Sequence, residues 1–155
     1  MRILLPRTVA SLSSIPQPGH LLVVDDNRDY ADSVRELVEI SSQWKAEAAY
    51  GVTDAIKKAK VRRPDAVLLD LEMPPYGGLQ AVDAFEQAFP HDLPKIVAVS
   101  GNAHLVDAAS NDRRLLGASL KPVDPSLLVR WLAEIAASCE LSRALSHPSE
   151  HREGK

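Results

Sequence analysis

The sequence predicts an α/β fold, a doubly wound sheet of five parallel strands with helices on both faces. Five strand-like segments, three of them continuous apolar runs, alternate with segments whose apolar residues follow the helical period. Right-handed crossovers between such units produce a three-layer sandwich. Several of the runs are followed by polar or charged residues, and in a parallel sheet these strand ends share one edge.

An apolar run and a capping residue mark the first strand and helix. Residues 21–24 are all Leu or Val and predict a buried strand. Asp26 or Asn27 can cap the helix that follows, because their side-chain oxygens accept hydrogen bonds from the free N–H groups of its first turn. The apolar positions of this helix are Tyr30, Val34, Leu37, Val38 and Ile40.

The second strand is weakly marked and the third is clear. Residues 44–50 predict the second strand, and residues 53–61 predict a helix. Pro64 ends this helix, because proline lacks the N–H that a helix interior needs. Residues 66–69 form the apolar run of the third strand.

The second half of the chain continues the alternation. A loop at residues 72–78 contains two prolines and two glycines, and the helix after it has the apolar positions Leu79, Val82, Phe85 and Phe89. Residues 95–99 predict the fourth strand. We expect a helix over residues 103–116 and a short fifth strand that reaches Lys121. Asp124, which precedes a proline, caps the last helix.

The length of 155 residues fits one domain. Prolines interrupt residues 1–18, whose apolar runs are too short for a signal segment or a membrane span, and we expect a mobile arm there. The ordered domain is predicted over residues 19–145. Residues 146–155 lack an apolar period and predict a solvated tail.

Composition argues against two classes of partner. With a formal net charge of −3 and no basic stripe, the sequence does not favour direct binding to nucleic acid. It also does not indicate a membrane protein. Cys139 is the only cysteine and stands in an apolar helical pattern, which favours a packed thiol in a reducing compartment. We therefore expect a cytoplasmic protein.

Three carboxylates, a hydroxyl and an ammonium are predicted to meet at the carboxyl edge of the sheet. Asp25 and Asp26 follow the first strand and Asp70 follows the third. Ser100 and Lys121 follow the fourth and fifth strands. Carboxylates brought this close repel one another unless they share a cation. Mg²⁺ suits such a site, because it binds through one or two carboxylates together with waters and phosphate oxygens.

The residue types also suggest how the site would work. Asp70 is the natural nucleophile, because an aspartate can form an aspartyl phosphate. Ser100 would hydrogen-bond a phosphoryl oxygen, and Lys121 would supply a positive charge to it. A helix-capping role is the alternative for Asp25 and Asp26, and a purely structural role is the alternative for Ser100 and Lys121.

Four stretches carry a specific resemblance: LVVDDN at residues 22–27, PDAVLLDLEMP at 64–74, VAVSG at 97–101 and KP at 121–122. In sequence and spacing they resemble the receiver domains of two-component response regulators, and the resemblance covers residues 19–141. It implies a flavodoxin-like fold with strand order 2-1-3-4-5. The segments around Asn27 and Lys121 are most similar to receivers of hybrid sensor kinases.

The resemblance implies a phosphoacceptor of a two-component phosphorelay. Asp70 would take a phosphoryl group from the phosphohistidine of a sensor histidine kinase or histidine phosphotransfer protein. Asp25, Asp26, Asp70 and the backbone carbonyl of Glu72 would bind Mg²⁺, while Ser100 and Lys121 would contact the phosphoryl group. Catalysis would be limited to the protein's own phosphorylation and dephosphorylation, and a downstream protein would receive the signal through direct contacts.

The sequence departs from the family pattern in three places, one of which is a shorter than usual spacing between the Gly117–Ala118 pair and Lys121. Gly77 precedes Gly78 where an acidic residue is usual, at a position that is not a ligand. No aromatic residue precedes Lys121 on the fifth strand, although many receivers turn such an aromatic inward on activation. Leu120 is a candidate to pack in its place. The side chain of Glu72 either overhangs the site or is simply solvated.

Two other functions remain open. A receiver-fold adaptor would keep the pocket but act mainly by constitutive protein binding. A phosphohydrolase of the haloacid dehalogenase kind also uses an aspartyl nucleophile, and Glu72 stands at the offset of its second acid. That reaction plan needs a cap domain, for which the chain is too short, and gives Asp25 and Asp26 no role.

Overall fold

Five parallel strands form the central sheet of the computed structural model, which describes residues 19–146. The strands are β1 (His20–Val24), β2 (Lys45–Ala49), β3 (Ala66–Asp70), β4 (Lys95–Ser100) and β5 (Leu115–Leu120). The helices are α1 (Arg28–Ser41), α2 (Val52–Val61), α3 (Gln80–Ala88), α4 (Ala103–Ser110) and α5 (Pro125–Ser146). The strand order is β2-β1-β3-β4-β5 with all pairs parallel, so the predicted α/β fold class and its order are confirmed.

The two predicted terminal segments are not part of this description. Residues 1–18, expected to be a mobile arm, and residues 147–155 of the expected tail lie outside the described residues. Over residues 19–146, no helix is long and apolar enough to cross a membrane.

The two faces of the sheet are covered by different helices. Every residue of β1 and β3 is buried, because central parallel strands are packed on both sides. Leu22 and Val24 belong to the core beneath α2, α3 and α4. Leu21 and Val23, at the alternate positions of the same strand, belong to the core beneath α1 and α5. The alternation of strand side chains therefore produces the three layers.

The first helix follows its predicted period except near its end. Asn27 is the N-cap, and its Oδ1 accepts the N–H of Tyr30 at 3.1 Å. Val38 is buried as expected, whereas Ile40 is 83% exposed. Ile40 lies two positions beyond Val38, and this places it on the opposite side of a helix with 3.6 residues per turn. Ala31 is the buried residue that the prediction omitted.

The fourth helix is shorter than the predicted segment 103–116, which is wrong at its carboxyl end. Asp112 forms a turn after α4, where its Oδ1 accepts the backbone N–H of Arg114 at 2.9 Å and the side-chain Nε–H at 3.0 Å. Leu115 is already in the sheet as the first residue of β5. The local apolar pattern was compatible with a helix, but sheet pairing and this turn determine the boundary.

Arg114 anchors the start of β5 to α3. Its Nη1 lies 2.7 Å from Oδ1 of Asp83 and 3.0 Å from Oε1 of Glu86, both on α3. Its Nη2 lies 2.7 Å from Oδ2 of Asp112. These hydrogen bonds, that to Asp112 first, raise the pKa of Arg114. One guanidinium thus joins the turn before β5 to a helix on the face of the sheet.

We expect Gly19→Ala to destabilise the protein. A Cβ at Gly19 would lie 2.6–2.7 Å from three ring atoms of Trp44, which is buried. The backbone cannot easily retreat, because the carbonyl of Gly19 accepts the N–H of Lys45 at 2.9 Å. The free energy of unfolding should fall by about 1–3 kcal/mol, as measured by urea denaturation followed by circular dichroism.

The matched control for this prediction is Gly77→Ala. No atom lies within 4 Å of a Cβ added at Gly77. This substitution should change the free energy of unfolding by less than about 0.5 kcal/mol. Equal losses in the two variants would contradict the proposed clash with Trp44.

Candidate functional site

Three carboxylates meet at the carboxyl edge of the sheet, as predicted. Asp25 and Asp26 directly follow β1, and Asp70 is the last residue of the neighbouring strand β3. Each offers an oxygen, and these oxygens all lie within 4.8 Å of one another. Asp25 and Asp70 are 1% and 2% exposed, whereas Asp26 is exposed. The site therefore has two buried acids and one acid at its mouth.

The cap of α1 leaves these acids available. Asn27 accepts the N–H of Tyr30 and is the N-cap of α1. The helix-capping role that was the alternative prediction for Asp25 and Asp26 is therefore filled by Asn27. Oδ1 of Asp25 instead accepts the backbone N–H of Asn27 at 2.9 Å, which fixes the orientation of the carboxylate. The backbone N–H of Asp25 donates to the carbonyl of Ala49 at 3.1 Å and continues the pairing with β2.

Lys121 brings a positive charge to the buried pair. Its Nζ lies 2.6 Å from Oδ2 of Asp25 and 3.4 Å from Oδ2 of Asp70. Burial opposes the charge on Lys121, but the carboxylates of Asp25 and Asp70 prevail and raise its pKa. The ammonium is therefore retained and partly neutralises the two acids. The predicted proximity of Lys121 to Asp70 is present in the structure.

Tyr30 is a residue of the site, although the helical period predicted it only as an apolar position of α1. Its ring centroid lies 4.9 Å from Nζ of Lys121, within the range of a cation–π contact. Its hydroxyl oxygen accepts the backbone N–H of Val123 at 3.1 Å. Tyr30 thereby contacts both Lys121 and the backbone two residues after it. An apolar helical period contains no signal that distinguishes this role from packing.

Ser100 lies at the same edge but is hydrogen-bonded to Glu72. Its Oγ donates to Oε2 of Glu72 at 2.5 Å, and the backbone N–H of Gly101 donates to the same oxygen at 2.7 Å. Ser100 is fully buried, and its Oγ also accepts the N–H of Asn102 at 2.9 Å. The hydrogen bond from Ser100 and that from Gly101 lower the pKa of Glu72. The side chain of Glu72 is therefore neither simply solvated nor directed at the carboxylate cluster.

Burial and like charge act together on Asp70. Burial, followed by the charge of Asp25, raises the pKa of Asp70 from 3.8 to about 6. The backbone N–H of Glu72, which donates to Oδ1 of Asp70 at 3.0 Å, and the ammonium of Lys121 partly offset this rise. The pocket thus holds more negative charge than its own cation compensates. Oxygen ligands under such repulsion fit a hard divalent cation such as Mg²⁺.

The fifth strand packs differently from the expectation for Leu120. Leu120 is 48% exposed and does not fill the place of an inward aromatic. Leu115 and Ala118 are the partly buried residues of β5 that pack against the core beneath α2, α3 and α4. On the other face, a Cβ at Gly117 would lie 2.9 Å from the ring of Trp131, so β5 and α5 are in close contact there. This contact leaves no room for a large side chain at Gly117.

Comparison with known proteins agrees with this geometry. Residues 21–133 match the family described as the response regulator receiver domain. The chain is 33% identical over 105 residues to a response regulator receiver protein of Anaeromyxobacter sp., covering 66% of this chain and 42% of that protein. It is 31% identical over 117 residues to the transcriptional regulatory protein PrrA of Mycobacterium tuberculosis, covering 76% and 48%. The chain thus spans less than half the length of these relatives.

Solved structures show the same fold. A signal receiver domain from Bermanella marisrubri is 27% identical, with a TM-score of 0.65 and coverage of 77% of this chain and 98% of that one. NtrX from Brucella abortus is 24% identical, with a TM-score of 0.70 over 84% of this chain and 29% of that one, a likeness of fold alone. The family match over residues 21–133, the strand order and the acidic pocket lead to one conclusion: the chain belongs to the response regulator receiver domains of two-component signalling.

Proposed function

We propose that this receiver is a phosphoacceptor that takes a phosphoryl group from a phosphohistidine onto Asp70. The proposal rests on the buried carboxylate of Asp70, which shares the ammonium of Lys121 with Asp25. An aspartate held in this way can act as a nucleophile while the surrounding positive charge stabilises the incoming phosphoryl oxygens. The membership of the chain in the receiver family supports the same assignment.

The proposed transfer is a single displacement. An oxygen of Asp70 attacks the phosphorus of the phosphohistidine, the P–N bond breaks as the O–P bond forms, and the imidazole leaves with the electron pair. Lys121 then contacts a phosphoryl oxygen, and Ser100 donates a hydrogen bond to another. Asp25, Asp26, Asp70 and the backbone carbonyl of Glu72 would hold Mg²⁺, which when bound offsets the charge of the phosphoryl oxygens. Beyond this transfer and the later loss of the phosphoryl group, we propose no further catalysis.

The proposed partners follow from the family. Receiver domains work with histidine kinases, and we propose a sensor histidine kinase or a histidine phosphotransfer protein as the donor. The similarity of the segments around Asn27 and Lys121 to hybrid-kinase receivers supports a place in a phosphorelay. We propose that output passes to a downstream protein by direct contact in the cytoplasm, without nucleic-acid binding by this domain and without a membrane partner.

The alternative is an adaptor that binds partners constitutively. It would keep the pocket but show no dependence on phosphoryl transfer. The environment of Asp70 favours the phosphoacceptor function over the adaptor function. Asp25 and Asp70 are both buried, and they lie 2.6 Å and 3.4 Å from the ammonium of Lys121. A protein-binding surface elsewhere on the domain does not need such a cluster. Magnesium-dependent labelling separates the two functions.

Phosphoryl labelling should occur once per chain and at Asp70. The protein is incubated with phosphoramidate, a small P–N phosphodonor, and Mg²⁺, and the modified residue is mapped by mass spectrometry. We expect Asp70→Asn to abolish labelling, because the substitution replaces the proposed nucleophilic carboxylate with an amide. Asp29→Asn, a neutralised acid exposed on α1, serves as the control and should label normally. Labelling that persists in Asp70→Asn would refute the assignment.

Binding of Mg²⁺ should depend on Asp26 far more than on Asp29. One oxygen of Asp26 lies within 4.8 Å of one oxygen each of Asp25 and Asp70, whereas Asp29 belongs to the first turn of α1. We expect Asp26→Asn to weaken Mg²⁺ binding by about tenfold or more in titration calorimetry and to slow labelling. Asp29→Asn should leave both within about twofold. Equal effects of the two substitutions would contradict a metal site at Asp26.

Asp70→Asn should stabilise the metal-free protein. Because the pKa of Asp70 rises to about 6 on folding, the folded state binds this proton more tightly than the unfolded state. The stabilising contribution of the protonated carboxyl is fully present below about pH 4 and is lost as the pH rises through about 6. The variant should therefore exceed the wild type in free energy of unfolding near neutral pH, and the difference should vanish near pH 4.

Urea denaturation at the two pH values measures this difference. Addition of Mg²⁺ at neutral pH should stabilise the wild type more than the variant, because the ion relieves the repulsion that the substitution removes. A wild type that is more stable than Asp70→Asn at neutral pH without metal would show that the carboxylate pair is already fully compensated.

A further inference from the structure

The carboxylate of Glu72 accepts hydrogen bonds from two donors at the end of β4. Oγ–H of Ser100 and the N–H of Gly101 both donate to Oε2 of Glu72, at 2.5 Å and 2.7 Å. Hydrogen bonds to an ionised acceptor are stronger than neutral ones. The two donors therefore already hold an anion before any phosphoryl group is present.

The same donors lie beside the proposed acceptor. Asp70 pairs with Val99 in the sheet, and Ser100 is the next residue of β4. The backbone N–H of Glu72 is hydrogen-bonded to Oδ1 of Asp70, so Glu72 and the acceptor are also directly linked. A phosphoryl group on Asp70 would extend from the end of β3 toward the residues that follow β4.

A serine hydroxyl has one proton and can donate only one hydrogen bond at a time. The N–H of Asn102 donates to the Oγ of Ser100 at 2.9 Å, which limits the directions the hydroxyl can take. Ser100 cannot donate to a phosphoryl oxygen and to Glu72 simultaneously. When Asp70 is phosphorylated, Ser100 can therefore donate either to the carboxylate of Glu72 or to the phosphoryl group, but not to both.

We infer that Glu72 is an internal competitor of the phosphoryl group, a positioning residue whose carboxylate holds Ser100 and Gly101 until aspartyl phosphate displaces it. This inference rests on the proposed function of Asp70. Glu72 is exposed, so its carboxylate can turn into water when it releases the two donors. Release exchanges two protein hydrogen bonds for hydration of a surface acid, whereas Ser100 stays buried and keeps its donor for the phosphoryl oxygen. Glu72 thus favours the unphosphorylated arrangement of the loop after β4.

Beryllofluoride with Mg²⁺ provides a stable mimic of the phosphoryl group with which to test the competition. We expect Glu72→Gln to bind beryllofluoride about tenfold more tightly than the wild type in calorimetric titration, because a neutral amide is a weaker acceptor for Ser100 and Gly101. Asp29→Asn removes one negative charge at the exposed first turn of α1 and should change the affinity by less than about twofold. Unchanged affinity in Glu72→Gln would overturn the inference.

A double-mutant cycle separates competition from simple charge repulsion. If Glu72 acts by holding Ser100, the gain from Glu72→Gln should fall to about twofold when it is made in a Ser100→Ala background. If the negative charge of Glu72 merely repels the incoming anion, the gain should be the same in both backgrounds, and the positioning role would be wrong.

Amide hydrogen exchange of Gly101 tests the contact without metal or phosphoryl mimic. In the wild type, the hydrogen bond to Glu72 should protect this N–H, and Glu72→Gln should speed its exchange several-fold. Equal exchange in the two proteins would contradict the contact itself. A wild type that shows the protection but fails to bind beryllofluoride would instead refute the proposed function of Asp70, so the two failures can be told apart.

Discussion

The ion pair between Lys121 and Asp25 is the contact on which the arrangement of the site depends. It joins the residue after β5 to the residue after β1, two strands separated in the sheet by β3 and β4. Without the ammonium, two buried carboxylates would face each other across adjacent strands with no charge to offset them. Removal of one partner from a buried ion pair leaves an uncompensated charge, which costs more than the pair contributes. Lys121 therefore compensates only part of the negative charge that Asp25, Asp26 and Asp70 bring to the site.

The alternation of strands and helices could be predicted because it rests on features that the chain carries locally, whereas the order of the strands was implied by the resemblance to receiver domains. Apolar runs define β1, β3 and β4, and polar residues immediately after β1 and at the ends of β3 and β4 mark the shared edge. The cap at Asn27 was one of two candidates, and the structure decides between them by the contact with Tyr30. These elements needed no knowledge of distant contacts.

Other parts of the fold and site depend on contacts between residues far apart in the chain. The end of α4 is determined by sheet pairing and by the turn at Asp112, whose partner Arg114 also contacts Asp83 and Glu86 on another helix. Tyr30 meets the segment after Lys121 across 93 positions, and Glu72 meets Ser100 across 28. An apolar period or a surface glutamate looks the same whether or not such a partner exists. The identity of the acids was therefore predictable, and the hydrogen bonds that orient their neighbours were not.

The close approach of Gly117 to Trp131 makes this tryptophan an intrinsic fluorescent probe of β5. The indole lies against a strand backbone that has no side chain at that position, so a small displacement of β5 relative to α5 would change the surroundings of the ring. Trp44 lies at the opposite edge of the sheet, before β2, where its ring packs over Gly19 and is almost fully shielded. The fluorescence of Trp44 would report unfolding, whereas the fluorescence of Trp131 would report displacement of β5. Two tryptophans with such different environments allow motion at β5 to be distinguished from unfolding without an attached label.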